Sequence, residues 1–186
     1  VPCYVIIPFR MKLLTLKFIL IFIYLISSSI SYAIQQPDLK NLVIHKDPKK
    51  LENINFKNVD NEIIDLKSFK NSLTIINFWA TWCAPCIEEM PSLSRLQANT
   101  VFNNLQIIPI NVGRDSVEKS KNFYQKLKID NLKIYFDKDV ELANKFLLRG
   151  LPTTVFINKK GEEFARVIGF INFDDKKIID WLKKYD

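Results

Sequence analysis

The sequence predicts an α/β domain: a central mixed β-sheet flanked by helices, with an added N-terminal β-hairpin. Three observations carry this. Leu73–Trp79 (LTIINFW) is a continuous apolar run, as expected of a central strand covered on both faces, and Leu105–Val112 (LQIIPINV) reads as a second buried strand. Stretches with helical apolar spacing alternate with the strands, the order that builds a sheet with helices on both faces. Thr153–Asn158, the turn Lys159-Lys160-Gly161 and Glu163–Ile168 then read as a closing β-hairpin ahead of a last helix.

Taken in order, Ile54–Val59 and Glu62–Leu66 flank the turn pair Asp60-Asn61 and predict the added hairpin. The run Leu73–Trp79 leads through Ala80-Thr81-Trp82 into a helix predicted from Cys83 to Ala98. Ile87, Met90, Leu93 and Leu96 form its apolar stripe, and Pro91 is expected to kink it. Asp115, with Glu118 three residues on, reads as a capping box for a helix to Leu127. Lys133–Asp137 is a third strand and Asp139–Leu147 a short helix. Asp174 is expected to cap the final helix, with Ile178, Ile179 and Leu182 facing the core. No internal repeat and no Pro/Gly/Ser-rich break interrupts residues 51–186, which therefore read as one domain. Residues 34–50 lack clear periodicity and contain Pro37 and Pro48, so they read as a linker or N-terminal arm. His45 lies there with no second His and no nearby Cys, which makes it a surface residue rather than a metal ligand.

Composition narrows the class. Of 186 residues 48% are hydrophobic and 25% charged, apolar enough to offset the entropy of ordering a core. The formal charge is +7, but the first 33 residues hold Arg10, Lys12 and Lys17 and no acids, which leaves +4 for the rest. That excess is scattered in single lysines and pairs without interleaved stacking aromatics. It describes a solvated surface, and no nucleic-acid partner is expected.

From Met11 the chain reads MKLLTLKFILIFIYLISSSISYA. A positive n-region (Lys12, Lys17), an unbroken apolar run from Phe18 to Ile26 and the small-x-small sequence Ser31-Tyr32-Ala33 give residues 1–33 the pattern of an export segment. Two readings fit it: a signal peptide that is cleaved, or a membrane anchor over residues 13–34 that is retained. Residues 1–10 precede the natural-looking start at Met11 and read as an over-extended start, and Cys3 lacks the Leu-rich lipobox that lipid attachment needs. The expected location is periplasmic or otherwise extracytoplasmic. Cys83 and Cys86 would then work where unprotected thiols drift to disulfide.

Trp82-Cys83-Ala84-Pro85-Cys86 carries the chemistry. A Cys-x-x-Cys pair where a buried strand meets a helix places two thiols on one helix face, about 5–6 Å apart, within the Cα separation a disulfide accepts. At the helix start Cys83 meets free N–H groups and the positive end of the dipole, both of which favour thiolate over thiol. Cys86, one turn in, is shielded. Cys83 is thus the attacking thiolate and Cys86 the resolving thiol, and Pro85 supports the first turn, where its missing N–H costs nothing. A structural zinc site lacks two further ligands, so no metal is expected. A purely structural disulfide would close too small a loop to stabilise much. No cofactor beyond the redox-active Cys83–Cys86 disulfide is called for.

The run Asn77-Phe78-Trp79-Ala80-Thr81-Trp82-Cys83-Ala84-Pro85-Cys86-Ile87-Glu88-Glu89-Met90-Pro91 resembles the thioredoxin superfamily, and within it the exported TlpA/ResA-like thiol-disulfide oxidoreductases. The likeness extends from Leu51 to Asp186 and implies a thioredoxin-like fold. Gly150-Leu151-Pro152-Thr153-Thr154 resembles the family's second signature, in which the proline is cis. The likeness sets Pro152 against the cysteines and, with Trp82, makes Leu151 and Pro152 the substrate-binding positions. The backbone of Leu151 would take an extended chain as an added strand. Alone, Pro152 would be an ordinary strand-entry proline. Thioredoxins keep an acid six residues before the first cysteine, where this chain has Asn77. The TlpA/ResA pattern instead has a Glu three residues after the second, and Glu89 fits. Glu89 lies on the Cys86 face and could relay its proton, against the plainer reading of an exposed helix carboxylate. Glu88 reads as surface.

Three functions compete. A reductase would break disulfides in exported partner proteins. The family likeness supplies a membrane thiol carrier as electron donor and, as recipients, apocytochrome c (cytochrome c biogenesis) or a copper-site protein of cytochrome oxidase. A disulfide-inserting oxidase runs the same chemistry backwards, but Ala84-Pro85 adds no charge to depress the thiolate pKa strongly. A non-catalytic copper-binding or chaperone-like module would use the thiols as soft ligands, without support from any Met- or His-rich segment. Peroxidase chemistry expects Thr where Ala80 stands, three residues before Cys83. A monomer is the default assembly.

Overall fold

The computed structural model describes residues 37, 39 and 41–186. The proposed export segment, Cys3 and the proposed start at Met11 lie outside the described residues. Among those described, no helix is long and apolar enough to cross a membrane.

Eight strands form one mixed sheet: β1 (Leu42–Lys50), β2 (Asn55–Asn58), β3 (Ile63–Asp65), β4 (Leu73–Trp79), β5 (Leu105–Val112), β6 (Tyr135–Asp137), β7 (Thr153–Ile157) and β8 (Glu162–Ile168). Their spatial order is β1-β8-β7-β4-β5-β6-β2-β3. β4, β5 and β6 run parallel and the other pairings are antiparallel. β4 sits between β5 and β7, and all seven of its residues are buried, as its apolar run requires. The helices are α1 (Ala84–Gln97), α2 (Val117–Leu127), α3 (Glu141–Lys145) and α4 (Lys176–Leu182).

Alternation along β4 divides the core in two. Leu73, Ile75 and Trp79 join a cluster with Met90, Leu93 and Leu96 of α1, Phe123 and Tyr124 of α2, and Ile178, Trp181 and Leu182 of α4. Ile76 and Phe78 join the other, with Phe56 of β2, Leu66, and Leu142 and Phe146 at α3. The predicted hairpin forms as β2 and β3, with Phe56 opposite Ile64, and extends the sheet beyond β6.

Several expectations need correcting. Residues 34–50 are not only an arm: Leu42–Lys50 is a strand on β8. A register shift between Ile44 and Lys49 breaks the alternation by which a strand is read from sequence. His45 is half-buried, and its Nε2 lies 2.8 Å from Oε1 of the buried Glu163. The N-cap of α2 is Ser116, whose hydroxyl accepts from the Lys119 N–H, because the Asp115 carboxylate is taken up elsewhere. Asp175 caps α4, since Asp174 turns to Arg95 at 2.6 Å. β6 and α3 are shorter than predicted. α3 begins only where the Asp137 carboxylate, at the end of β6, accepts from the N–H groups of Leu142 and Ala143. Ile87 is 39% exposed and so drops out of the buried stripe. Apart from these corrections, α1 is helical on both sides of Pro91.

Candidate active site

β4 delivers the chain to the site. After Trp79 the segment Ala80-Thr81-Trp82 turns into α1, with Cys83 as its N-cap in extended conformation (φ −84°, ψ 104°). The Cys83 carbonyl accepts the first helical bond, from Ile87 N–H at 3.1 Å. Pro85 lies in the first turn, where no backbone partner is lost. Cys83 and Cys86 are joined by a disulfide of 2.06 Å across a Cα separation of 5.2 Å, and only 5% and 1% of them are exposed. Beside the bridge Trp82 stands 71% exposed. It forms one wall of a groove of about 500 Å³ whose other side is α2, with Ser116, Lys119, Phe123 and Lys126.

Glu89 is 1% exposed, which excludes the plain surface reading, whereas Glu88 is exposed as expected. Its Oε1 accepts from Asn77 Nδ2 at 2.6 Å and its Oε2 from the Ile171 N–H at 2.7 Å. Burial pushes the Glu89 carboxyl up to about 8, against the two hydrogen bonds, which act to lower it. Asn77 also donates to Thr154 Oγ1 on β7 at 3.1 Å. Where thioredoxins carry an acid, this chain thus has an amide that holds the carboxyl arriving from α1. An amide offers both donor and acceptor atoms, so it is compatible with either protonation state of its neighbour.

The Leu151–Pro152 bond is cis. Pro152 is buried and Leu151 half-buried. The Pro152 carbonyl accepts from the Gly169 N–H at 2.8 Å, and Ser92 Oγ accepts from the Phe173 N–H at 3.2 Å. Together with the Ile171–Glu89 bond, these contacts stitch the segment after β8 to Pro152 on one side and to α1 on the other. Among the described residues, Leu151 makes no backbone hydrogen bond. Three participants escaped the sequence reading. Ile171 contributes only a backbone group, which no side-chain pattern reveals. Asn77 stood out as a departure from thioredoxin but not as the partner of Glu89. Asp115, read as a cap, instead accepts from the Thr81 N–H at 2.9 Å, two residues before Cys83.

A sheet of this order, with a cysteine pair bridged at the amino end of a helix, defines a thioredoxin-like thiol-disulfide oxidoreductase. Residues 48–162 match the AhpC/TSA family, and the chain belongs to that family. It is 25% identical over 174 residues to the thiol-disulfide oxidoreductase ResA of Bacillus cereus, covering 94% of this chain and 98% of that one. The exposed lipoprotein thioredoxin Etrx1 of Streptococcus pneumoniae superposes with a TM-score of 0.60 at 25% identity, over 70% of this chain and 98% of its own. A secreted thiol-disulfide isomerase of Corynebacterium glutamicum shares the fold, with a TM-score of 0.65 at 23% identity over 83% and 98% of the two chains.

Proposed function

We propose that the protein reduces disulfides in exported partner proteins through the Cys83/Cys86 dithiol. The observation that carries this reading is the Cys83–Cys86 pair at the first turn of α1, close enough to bridge, with the buried carboxyl of Glu89 one turn further on. In the reduced protein the Cys83 thiolate attacks one sulfur of the partner disulfide. A mixed disulfide forms and the partner's other sulfur leaves as thiolate. Cys86 then attacks Cys83 Sγ, the second partner sulfur leaves, and Cys83–Cys86 is left oxidised. Two electrons have passed to the partner, and the proton released by Cys86 with one more from solvent completes its two thiols.

Cys86 must give up a proton in the second step. A carboxyl whose proton affinity has risen to about 8 is close to that of a thiol, ordinarily about 8.5, so Glu89 in its ionised form can take the proton without a large uphill cost. Leu151 and Pro152 are the proposed seat of the partner chain, supported by the backbone of Leu151, which makes no hydrogen bond among the described residues. Trp82, next to Cys83 in the chain, offers an exposed ring. Re-reduction falls to a membrane thiol carrier, and the recipients we favour are apocytochrome c or a copper-site protein of cytochrome oxidase. The export segment and location proposed from sequence belong to this reading, as does action as a monomer.

Two measurements test it. A Cys86→Ser protein, exposed to partner proteins in its native compartment, should accumulate a mixed disulfide through Cys83. A folded variant that traps nothing contradicts the assigned roles. Equilibration with glutathione should give a reducing potential, and a value near −120 mV, the range of strong oxidants, would replace the reductase with an oxidase.

A further inference from the structure

The segment that carries the nucleophile is tied down from α2. Asp115 is 7% exposed, and its Oδ2 accepts from the Thr81 N–H at 2.9 Å and from Asn111 Nδ2 at 3.1 Å. Its Oδ1 accepts from Lys119 Nζ at 2.6 Å, one turn along α2. The carboxylate therefore joins three pieces of chain: the end of β5, the amino end of α2 and the Ala80–Trp82 segment. It also carries a charge. Burial works to raise the Asp115 carboxyl, but the Lys119 ammonium and the Thr81 and Asn111 donors outweigh it and hold it at about 2, so it is ionised throughout the working range.

An uncompensated anion beside a thiolate opposes that thiolate. Holding Thr81 with a neutral acceptor would have avoided the difficulty, yet the chain uses a carboxylate and lays a lysine across it. Lys119 is half-exposed and lines the groove next to Trp82.

We propose that Asp115 and Lys119 act together as a positioning pair for Cys83: the carboxylate fixes the segment before the nucleophile through the Thr81 N–H, and the ammonium cancels the charge this introduces. The inference rests on Cys83 being the attacking thiol. Neither residue touches the reacting sulfurs; both act through the backbone and the field at Cys83.

The test is the pH dependence of Cys83 alkylation by iodoacetamide in the reduced protein, with the labelled residue identified by mass spectrometry. Asp115→Asn keeps an oxygen for the Thr81 N–H but leaves the Lys119 charge unopposed, so the midpoint should move to lower pH. Lys119→Met keeps the Thr81 bond but exposes the anion, so the midpoint should move to higher pH. Each shift should be about half a pH unit, the size of one partly screened charge at a protein surface. Lys119→Arg should restore the parent midpoint. A merely structural role would lower the melting temperature of the first two variants without moving their midpoints in opposite directions. Midpoints that stay put, or move the same way, overturn the pair. Labelling of Cys86 in place of Cys83 in the parent would instead overturn the assignment of the nucleophile.

Discussion

A carboxyl that is 1% exposed and accepts from an amide and a backbone N–H leaves a signature in stability as well as in rate. Glu89 binds its proton more tightly folded, at about 8, than unfolded, at its ordinary value of 4.5. Between those values the native state holds more protons than the unfolded one, so stability is highest below about 4.5 and falls as pH rises to about 8. Glu89→Gln should flatten that slope in chemical denaturation curves from pH 5 to 8 and stabilise the protein at the alkaline end. It should also slow resolution of the mixed disulfide while leaving attack by Cys83 intact. A slope that persists in the variant, or an unchanged resolution rate, removes the buried carboxyl from both accounts. At this scale the cysteines, Glu89 and Pro152 were legible, because spacing and resemblance placed them. Ile171 was not, for its contribution is a backbone N–H contacting a residue 82 positions away.

β1 shows how an element can hide from a sequence reading. Its register shift and its polar run from Lys46 to Lys50 erase the alternation of a strand, and its hold on β8 comes partly from one buried cluster. Glu163 accepts from Arg166 Nε at 2.6 Å and Nη2 at 2.7 Å, and His45 Nε2 stands at 2.8 Å. Burial acts to raise the Glu163 carboxyl, but the Arg166 and His45 contacts prevail and leave it lowered. A depressed carboxyl stabilises the fold above its unfolded pKa, and that stability is lost as pH falls through the folded value. Glu163→Ala leaves the arginine short of its buried partner and should cost about 3 kcal/mol. Amide exchange should quicken along Leu42–Lys50 before it does in β4 or β5; uniform exchange across the sheet would show that the cluster does not hold β1. By contrast β4 and β5 were legible to the residue. Burial on both faces leaves a continuous apolar run that edge strands and caps do not have. The caps shifted by one position at Asp115 and Asp174 because each carboxylate found a tertiary partner, which local spacing does not encode.

For the whole molecule, the direction of electron flow is a statement about relative stability. A reductase gives up electrons because its native fold favours the bridged form over the dithiol, the reverse of strong oxidants, whose reduced form is the stabilised one. The oxidised protein should therefore melt at a higher temperature than the protein with Cys83 and Cys86 reduced. The opposite order would argue for disulfide insertion. The α/β class and the order of elements from β2 onward were legible because the buried strands and helices show apolar runs or stripes. The partner chain and the redox potential were not, since both depend on small free-energy differences that no motif carries.

The first described strand closes onto the last one. β1 has β8 as its neighbour at the edge of the sheet, and the His45–Glu163 contact spans 118 residues. A ribosome must therefore have made Ile168 before Leu42–Lys50 can find its full pairing, and β4 likewise waits for β7. Order of synthesis thus works against early closure. Until β7 and β8 have emerged, β1 stays unpaired and β4 half-covered, so the sheet locks shut only late in synthesis.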